Sequence, residues 1–367
     1  MKESSQDIES IDHLIAKRYE IISKIGKGAY GIVWKAIDRS NHQTIALKKV
    51  FGAFNNSLDA QRVYREISYL KKLAVCPLVV NLINVHRSEN DLDLYLVFEC
   101  METDLFAVIR ANILLDVHHR YIFWQLMASL KYVHSAGLIH RDLKPSNILI
   151  NSDATSKLCD FGLSRTIGDN DYLNDMTDYI ATRWYRAPEI LFGSSTYSFP
   201  IDLWAAGCIL AELVSGRPLF PGNSTMDQIE RIISYTGLPT PDDYESFGSS
   251  LAETMLANVT LSKTRLTLEE RLPDAPKEAI DLIKKLIVLN PKERPSAEDC
   301  LSHPYLAQFH NQKNEPVAKE FITLSLPDAN TYTVRDYRNQ VYRESVTAPE
   351  LPMVRKGRPV RTSIKGL

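Results

Sequence analysis

No CxxC and no paired spacing links the five cysteines, at positions 76, 100, 159, 208 and 300. That pattern offers no disulfide framework and reads as reduced thiols in a protein of the cytoplasm or nucleus. An excess of one charge is also missing. With 43 Lys and Arg against 45 Asp and Glu, the net charge is −2. No global basic field argues for nucleic acid as a partner. The first residues, MKESSQDIESIDHL, lack an apolar core of signal-peptide length. The longest apolar stretch, IDLWAAGCILAELV, is interrupted by Asp202 and Glu212 and is too short to span a bilayer, so it reads as a buried globular helix. Lipidation motifs, internal repeats and long low-complexity segments are absent too. What remains is ordinary for a soluble globular protein: 44% hydrophobic and 24% charged residues. A chain of 367 residues can bury a large core, in one large domain or in two lobes with tails.

Along the chain the pattern changes several times. Residues 1–18 are polar and are expected to be loosely ordered. From Tyr19, the runs YEIISKIG, IVWKAID and TIALKKVF read as antiparallel strands divided by Gly, Asn and Ser. LDAQRVYREISYLKKL then sets Ala60, Val63, Tyr64, Ile67 and Leu70 on one helical stripe. DLYLVFECM returns to strand character. After residue 102 the chain turns helical, with Asp116 as an expected N-cap, Gly137 as a stop, and further helices at 201–215, 225–236, 275–289 and 296–302. Residues 222–265 read as a less regular insertion. Beyond 310 the chain is polar and irregular, and it closes on the basic tail VRKGRPVRTSIKGL.

Several strings carry chemistry. Gly26-Lys27-Gly28-Ala29-Tyr30-Gly31, followed by Ile32-Val33, is G-x-G-x-x-G-x-V. Such a string alone is weak evidence, because glycine-rich turns are common. Here it leads into a strand rather than a helix, which favours a hairpin over phosphates rather than a dinucleotide turn. Lys48 in IALK and Glu66 in REI read singly as a surface lysine and a solvated helix residue, yet their spacing would also allow them to pair. HRDLKPSN, residues 140–147, is the most specific string in the chain. Asp160-Phe161-Gly162 and Ala187-Pro188-Glu189 follow it in order.

Taken together, these strings resemble a eukaryotic protein kinase over residues 19–305. The resemblance implies an α+β bilobal kinase fold. A β-rich N-lobe (19–101) with one main helix would face a mostly helical C-lobe (102–305) across a cleft. An N-terminal extension (1–18) and a C-terminal extension with the basic tail (306–367) would flank them. It also implies ATP and Mg²⁺ as cofactors. Asp142 would be the catalytic base and Lys144 would sit near the γ-phosphate, while Asn147 and Asp160 would hold the metal. Lys48, oriented by Glu66, would contact the α- and β-phosphates beneath the 26–31 loop. Ile25, Val33, Ala46 and Leu149 would sandwich adenine. Phe98 matches the gatekeeper, with Glu99, Cys100 and Met101 as the hinge and Asp104 toward the ribose. Leu70, His140 and Phe161 look like spine residues, Asp202 like the anchor of the catalytic loop, and Glu189 with Arg294 like a buried ion pair. Cys159 beside Asp160 reads as an inert buried thiol or as a reactive one.

The stretch MTDYIATRWYRAPE narrows the resemblance to mitogen-activated protein kinases. KKVFGAFNNSLDAQRVYREI and TVRDYRNQVY look most like the atypical extracellular-signal-regulated branch, types seven and eight. Thr177 and Tyr179 would then be phosphorylated by an upstream kinase or by the chain itself. The resemblance gives Arg65, Arg141 and Arg165 to the first phosphate, and Arg183 and Arg186 to the second. Substrates would be proteins with Ser or Thr before Pro, and a monomer is expected. The acidic docking cluster of relatives is depleted: near its place stands only Glu315, opposed by His310 and Lys313. A cyclin-dependent-type kinase and a non-catalytic scaffold are the alternatives. The filled catalytic positions argue against the second.

Overall fold

The computed structural model describes residues 11–28, 31–167, 182–194, 198–257, 259, 267–328 and 330–346. The chain divides into two compact units, Met1–Met101 with Leu324–Arg355, and Glu102–Thr323 with Lys356–Leu367.

In the first unit a short helix, α1 (His13–Arg18), leads into β1 (Tyr19–Gly28), β2 (Gly31–Asp38) and β3 (Gln43–Val50). Helix α2 (Ser57–Leu73) follows, then β4 (Leu82–Arg87) and β5 (Leu94–Glu99). The strands form one antiparallel sheet in the order β1-β2-β3-β5-β4. Alternation along β2 buries Ile32, Trp34 and Ala36 on one side. Ala36, Ile45, Leu47, Tyr95 and Val97 build a core closed by Ile15 and Tyr19. The extension expected to be loose is therefore tied down where it is described. Asp12 accepts hydrogen bonds from Ser88 Oγ (2.6 Å), Glu89 N (2.6 Å) and Tyr95 Oη (2.8 Å), with Lys49 Nζ at 3.4 Å. Burial alone would raise the Asp12 carboxyl, but these donors hold it below the usual carboxylate range. Next to it, Tyr19 Oη lies 2.7 Å from His86 Nε2, and burial pushes that histidine down to about 4.

Asn56 starts α2 by accepting from Asp59 N at 2.9 Å. The expected stripe of Ala60, Val63, Tyr64, Ile67 and Leu70 is buried, but so are Arg65, Glu66, Ser68 and Tyr69. A second surface must therefore cover the helix.

The second unit holds β6 (Thr103–Asp104), α3 (Leu105–Ala111), α4 (Asp116–Ser135) and β7 (Leu138–Ile139). Strands β8 (Ile148–Ile150), β9 (Ser156–Leu158) and β10 (Arg165–Thr166) come next. The helical part comprises α5 (Pro188–Leu191), α6 (Pro200–Ser215), α7 (Thr225–Thr236), α8 (Pro241–Phe247) and α9 (Ala252–Leu256). It closes with α10 (Leu268–Arg271), α11 (Lys277–Leu286) and α12 (Ala297–Leu301). Helix α6 is buried from Ile201 to Leu213, as its apolar run predicts. At Gly207 an added Cβ would lie 2.8 Å from Leu286 Cβ, so glycine permits the close crossing of α6 and α11. Asp116 opens α4 from inside rather than capping it, because the cap position is Leu115, whose N–H donates to His118 Nδ1 at 2.9 Å. The insertion expected to be irregular carries α7, α8 and α9. Among the described residues no helix is long and apolar enough to cross a membrane.

Glu315 is not a surface docking acid. It is buried and accepts from Trp124 Nε1 (2.9 Å), Asn311 N (3.0 Å) and His310 Nδ1 (2.9 Å). His310, expected to oppose it, is one of its partners.

The polar stretch after 310 contains a helix that the periodicity did not predict, α13 (Val334–Val346), which belongs to the first unit. Thr333 and Asp336 cap it reciprocally, Thr333 N to Asp336 Oδ2 at 3.0 Å and Asp336 N to Thr333 Oγ1 at 3.2 Å. Tyr337 and Val341, one turn apart, are buried, and α13 packs on α2. This is the second surface over that helix.

Candidate active site

The first unit carries one set of the expected residues. In the β1–β2 hairpin Gly26 pairs with Val33, Lys27 with Ile32 and Gly28 with Gly31, while Ala29 and Tyr30 lie outside the described residues. The three glycines differ. A Cβ on Gly28 would meet nothing within 4 Å, whereas one on Gly31 would lie 2.0 Å from Lys49 O. Gly31→Ala is therefore expected to destabilise the protein by about 1–3 kcal/mol. Gly28→Ala should change stability by less than about 0.5 kcal/mol, and thermal denaturation of the two variants checks the contrast.

Register then places side chains. Val33 lies opposite Lys48, and Ala46 opposite Phe98, so Ala46 and Lys48 share a face of β3 while Ile45 and Leu47 point into the core. From that face Lys48 Nζ reaches Glu66 Oε1 at 2.7 Å, with Glu66 buried at 8% exposure. The surface-lysine and solvated-helix readings of these residues are thereby replaced by one ion pair. Phe98, Met101 and Leu70 are buried, whereas Ile25 is exposed. The Glu99 carboxylate accepts from Asn81 N at 2.7 Å.

The second unit carries the other set. Strand β7 runs directly into His140-Arg141-Asp142, and fully buried Asp202 clamps the backbone there. Its Oδ2 accepts His140 N (2.9 Å) and its Oδ1 accepts Arg141 N (2.9 Å). His134 on α4, which sequence reasoning missed, adds a third arm at 2.9 Å. Burial pushes the Asp202 carboxyl up, but these hydrogen bonds hold it below its ordinary value. The signal for His134 was a lone polar residue near the end of an otherwise apolar face. Arg141 and Asp160 both adopt left-handed φ, +68° and +63°, a conformation that non-glycine residues keep where their surroundings enforce it.

His140 is structural. Its Nδ1 accepts from Asp142 N at 3.3 Å, so the proton sits on Nε2, which donates to Cys159 O at 3.0 Å. Its ring meets Phe161 edge-on at 5.0 Å. Asp142 is 5% exposed. Its Oδ2 accepts from Lys144 Nζ (2.6 Å) and Asn147 Nδ2 (3.2 Å), while its Oδ1 is buried with no hydrogen-bond partner among the described residues. Asn147 Nδ2 also donates to Asp142 O at 2.8 Å. That fixes the amide so that its Oδ1 remains for a ligand. Asn147 and Asp160 together offer hard oxygens suited to a small divalent cation, too few to enclose it without phosphate oxygens. Asp104, expected near a ribose, caps α3 by accepting from Ala107 N at 2.8 Å, and burial raises its carboxyl. Leu149, its partner across the β6–β8 pair, is half-buried.

The arginines divide as well. Arg165 on β10 pairs with Ile139 on β7, beside the strand that enters the catalytic loop. Arg141 and Arg186 line one small cleft with Asp142 and Tyr185. Arg183 is buried at 6% exposure, and its Nε and Nη1 find no hydrogen-bond partner among the described residues. Arg65 lies in the first unit, where Asp328 Oδ1 sits 2.8 Å from its Nε and 2.7 Å from its Nη2. Sequence reasoning missed Asp328. Thr177 and Tyr179 lie outside the described residues.

Comparison with known proteins accords with this geometry. Residues 19–306 match the family model described as "Protein kinase domain". "Extracellular signal-regulated kinase 2" of Dictyostelium discoideum is 48% identical over 342 residues, 92% of either chain. "Mitogen-activated protein kinase 15" of Xenopus laevis is 48% identical over 90% of this chain and 57% of its own length. "Extracellular signal-regulated kinase 7" of Drosophila melanogaster is 43% identical over 91% of this chain and 37% of its own length. The last two relatives are thus much longer than the part they share with this chain. The chain belongs to the protein kinase family, and within it to the mitogen-activated protein kinases of the atypical extracellular-signal-regulated branch.

Proposed function

We propose that this kinase transfers the γ-phosphate of Mg²⁺-ATP to Ser or Thr followed by Pro in protein substrates. The observation that carries the reading is the buried Asp142 Oδ1, an acceptor without a hydrogen-bond partner among the described residues, while Oδ2 is held by Lys144 and Asn147. A substrate hydroxyl that donates to Oδ1 is oriented, and its proton has a destination as the oxygen becomes a nucleophile. Lys144 keeps the carboxylate in place and offers positive charge beside it. Asn147 Oδ1 and Asp160 would hold the metal, and Lys48, fixed by Glu66, would bind phosphate oxygens. The bound nucleotide supplies the phosphoryl group, and the metal neutralises charge on it. For the residue after the target, the cleft beside Asp142 has apolar walls from Tyr185, Ala187, Ile190, Ile201 and Ala205, which suit a proline ring.

Activation is by phosphate on Thr177 and Tyr179. The buried Nε and Nη1 of Arg183, without a hydrogen-bond partner among the described residues, support an anion arriving there, because such donors are costly to leave uncompensated. Thr177→Ala and Tyr179→Phe are each expected to lower kcat/KM on a Ser-Pro peptide roughly tenfold or more. Mass spectrometry of wild type and Lys48→Arg decides the source of the phosphates. Phosphate on the wild type alone means self-activation, and absence from both means an upstream kinase. Full activity in both activation-segment variants would remove the switch from this stretch. The five thiols and the absence of a disulfide support a reducing compartment, the cytoplasm or nucleus.

A further inference from the structure

Helix α2 has two working faces. One, with Ala60, Val63, Ile67 and Leu70, is apolar, and Glu66 on the same side pairs with Lys48. The other is polar, made by Gln61, Tyr64, Arg65 and Ser68, the i, i+3, i+4, i+7 stripe of a helix. Every member of that stripe is bound by the segment 324–346. Gln61 Nε2 donates to Asp328 Oδ1 at 3.2 Å, and Tyr64 Oη accepts from Leu326 N at 2.8 Å. The Tyr64 ring meets Tyr337 at 5.6 Å, and Ser68 Oγ donates to Glu344 Oε2 at 2.6 Å. The centre of the stripe is the Arg65–Asp328 pair, with side chains 0% and 1% exposed.

We propose that Asp328 is a positioning residue for phosphoryl transfer. By holding Arg65 it fixes the rotation and height of α2, so that Glu66, the next residue, meets Lys48 before any phosphate is present on the activation segment. Two facts carry this. The Lys48–Glu66 pair and the Arg65–Asp328 pair coexist in one unit, so the second does not oppose the first. A buried guanidinium also resists losing a buried carboxylate, so a shift of α2 that opened Lys48–Glu66 would also have to break a desolvated ion pair. The carboxylate carried within the chain thus does for α2 what the resemblance assigns to phosphothreonine at Arg65. It gives the unphosphorylated enzyme a working phosphate-binding lysine. The inference rests on Lys48 being that lysine.

The test uses the full chain with Thr177→Val and Tyr179→Phe, so that the activation segment cannot be phosphorylated. In this background Asp328→Asn is expected to lower kcat roughly tenfold or more, since misplacing a reacting group by about 1 Å can cost about 10²-fold. The KM for peptide should stay unchanged. Asp328→Glu should restore kcat to within roughly threefold, because the charge is kept. Activities are taken per folded molecule at a temperature where thermal denaturation shows each variant native. Should Asp328→Asn not fold, Glu344→Gln, which weakens the same stripe one turn on, must still lower kcat. Unchanged or raised kcat in Asp328→Asn, or in Glu344→Gln where that is the readable variant, overturns the proposal, a rise marking Asp328 as a brake. Lys48→Arg is the separate control. If it retains full activity, the reading of Lys48 has failed rather than that of Asp328.

Discussion

Asp142→Asn is expected to lower kcat by roughly 10²–10⁴-fold, the range that a positioned general base contributes. The substitution keeps the shape of the side chain and an oxygen for Lys144 and Asn147, which now hold Oδ2 at 2.6 and 3.2 Å. It removes the capacity to take a proton at Oδ1. With that single oxygen kept by Lys144 and Asn147, the amide NH2 stands at the Oδ1 position and can still donate to the substrate hydroxyl oxygen, so the KM for peptide should move by less than about threefold. Thermal stability should hold, since the backbone of the catalytic loop is fixed by Asp202 and not by Asp142. Steady-state kinetics at saturating ATP, with a melting curve on the same preparation, measure both quantities. A native melting curve with a kcat loss under about fivefold would take the base role from Asp142.

The largest effect on stability is expected at Arg294. Its Nη1 and Nη2 donate to the two Glu189 oxygens at 2.7 and 2.8 Å. The same guanidinium donates to Val288 O, Leu289 O and Pro200 O and lies 5.1 Å over the Trp204 ring. Its side chain is 0% exposed and that of Glu189 is 4% exposed. Arg294→Met therefore leaves a buried carboxylate uncompensated, at a cost of about 3–5 kcal/mol. In a unit of this size that lowers Tm by roughly 10 °C. Adding Glu189→Gln removes the stranded charge and should recover part of the loss. Recovery stays incomplete because three carbonyls still lack their donor. Calorimetry of both variants tests this, and a Tm shift under about 2 °C in Arg294→Met would show that the pair contributes little.

Much of the site was legible because its signals are local. HRDLKPSN, DFG and APE each fit within eight residues, and the chemistry needs those residue types close together. The long helices were legible for the same reason: α6 and α7 announce themselves through their own apolar positions. What escaped was set by partners far along the chain. Arg65 and Ser68 lie off the apolar stripe of α2, and their partners Asp328 and Glu344 stand more than 260 residues away. Asp12 looks like one more acid in a polar leader until Ser88 and Tyr95 are brought to it. Glu315 looks like a docking acid until Trp124 donates to it from α4. The signal for α13 was present in TVRD, a capping box before Tyr337 and Val341, but the high charge of the stretch outweighed it. Asp104 was read for a ligand when its nearest task is to cap α3.

Asp328 also has a meaning in time. Arg65 and Asp328 are 263 positions apart, and translation adds about 5–20 residues per second, so the carboxylate emerges on the order of tens of seconds after the guanidinium it neutralises. The first unit is therefore not complete when its own sheet has been made. It stays open, with the polar stripe of α2 uncovered, until almost the whole second unit has been synthesised. Until then water holds the polar groups of that stripe, and the arrival of residues 324–346 exchanges it for partners within the chain.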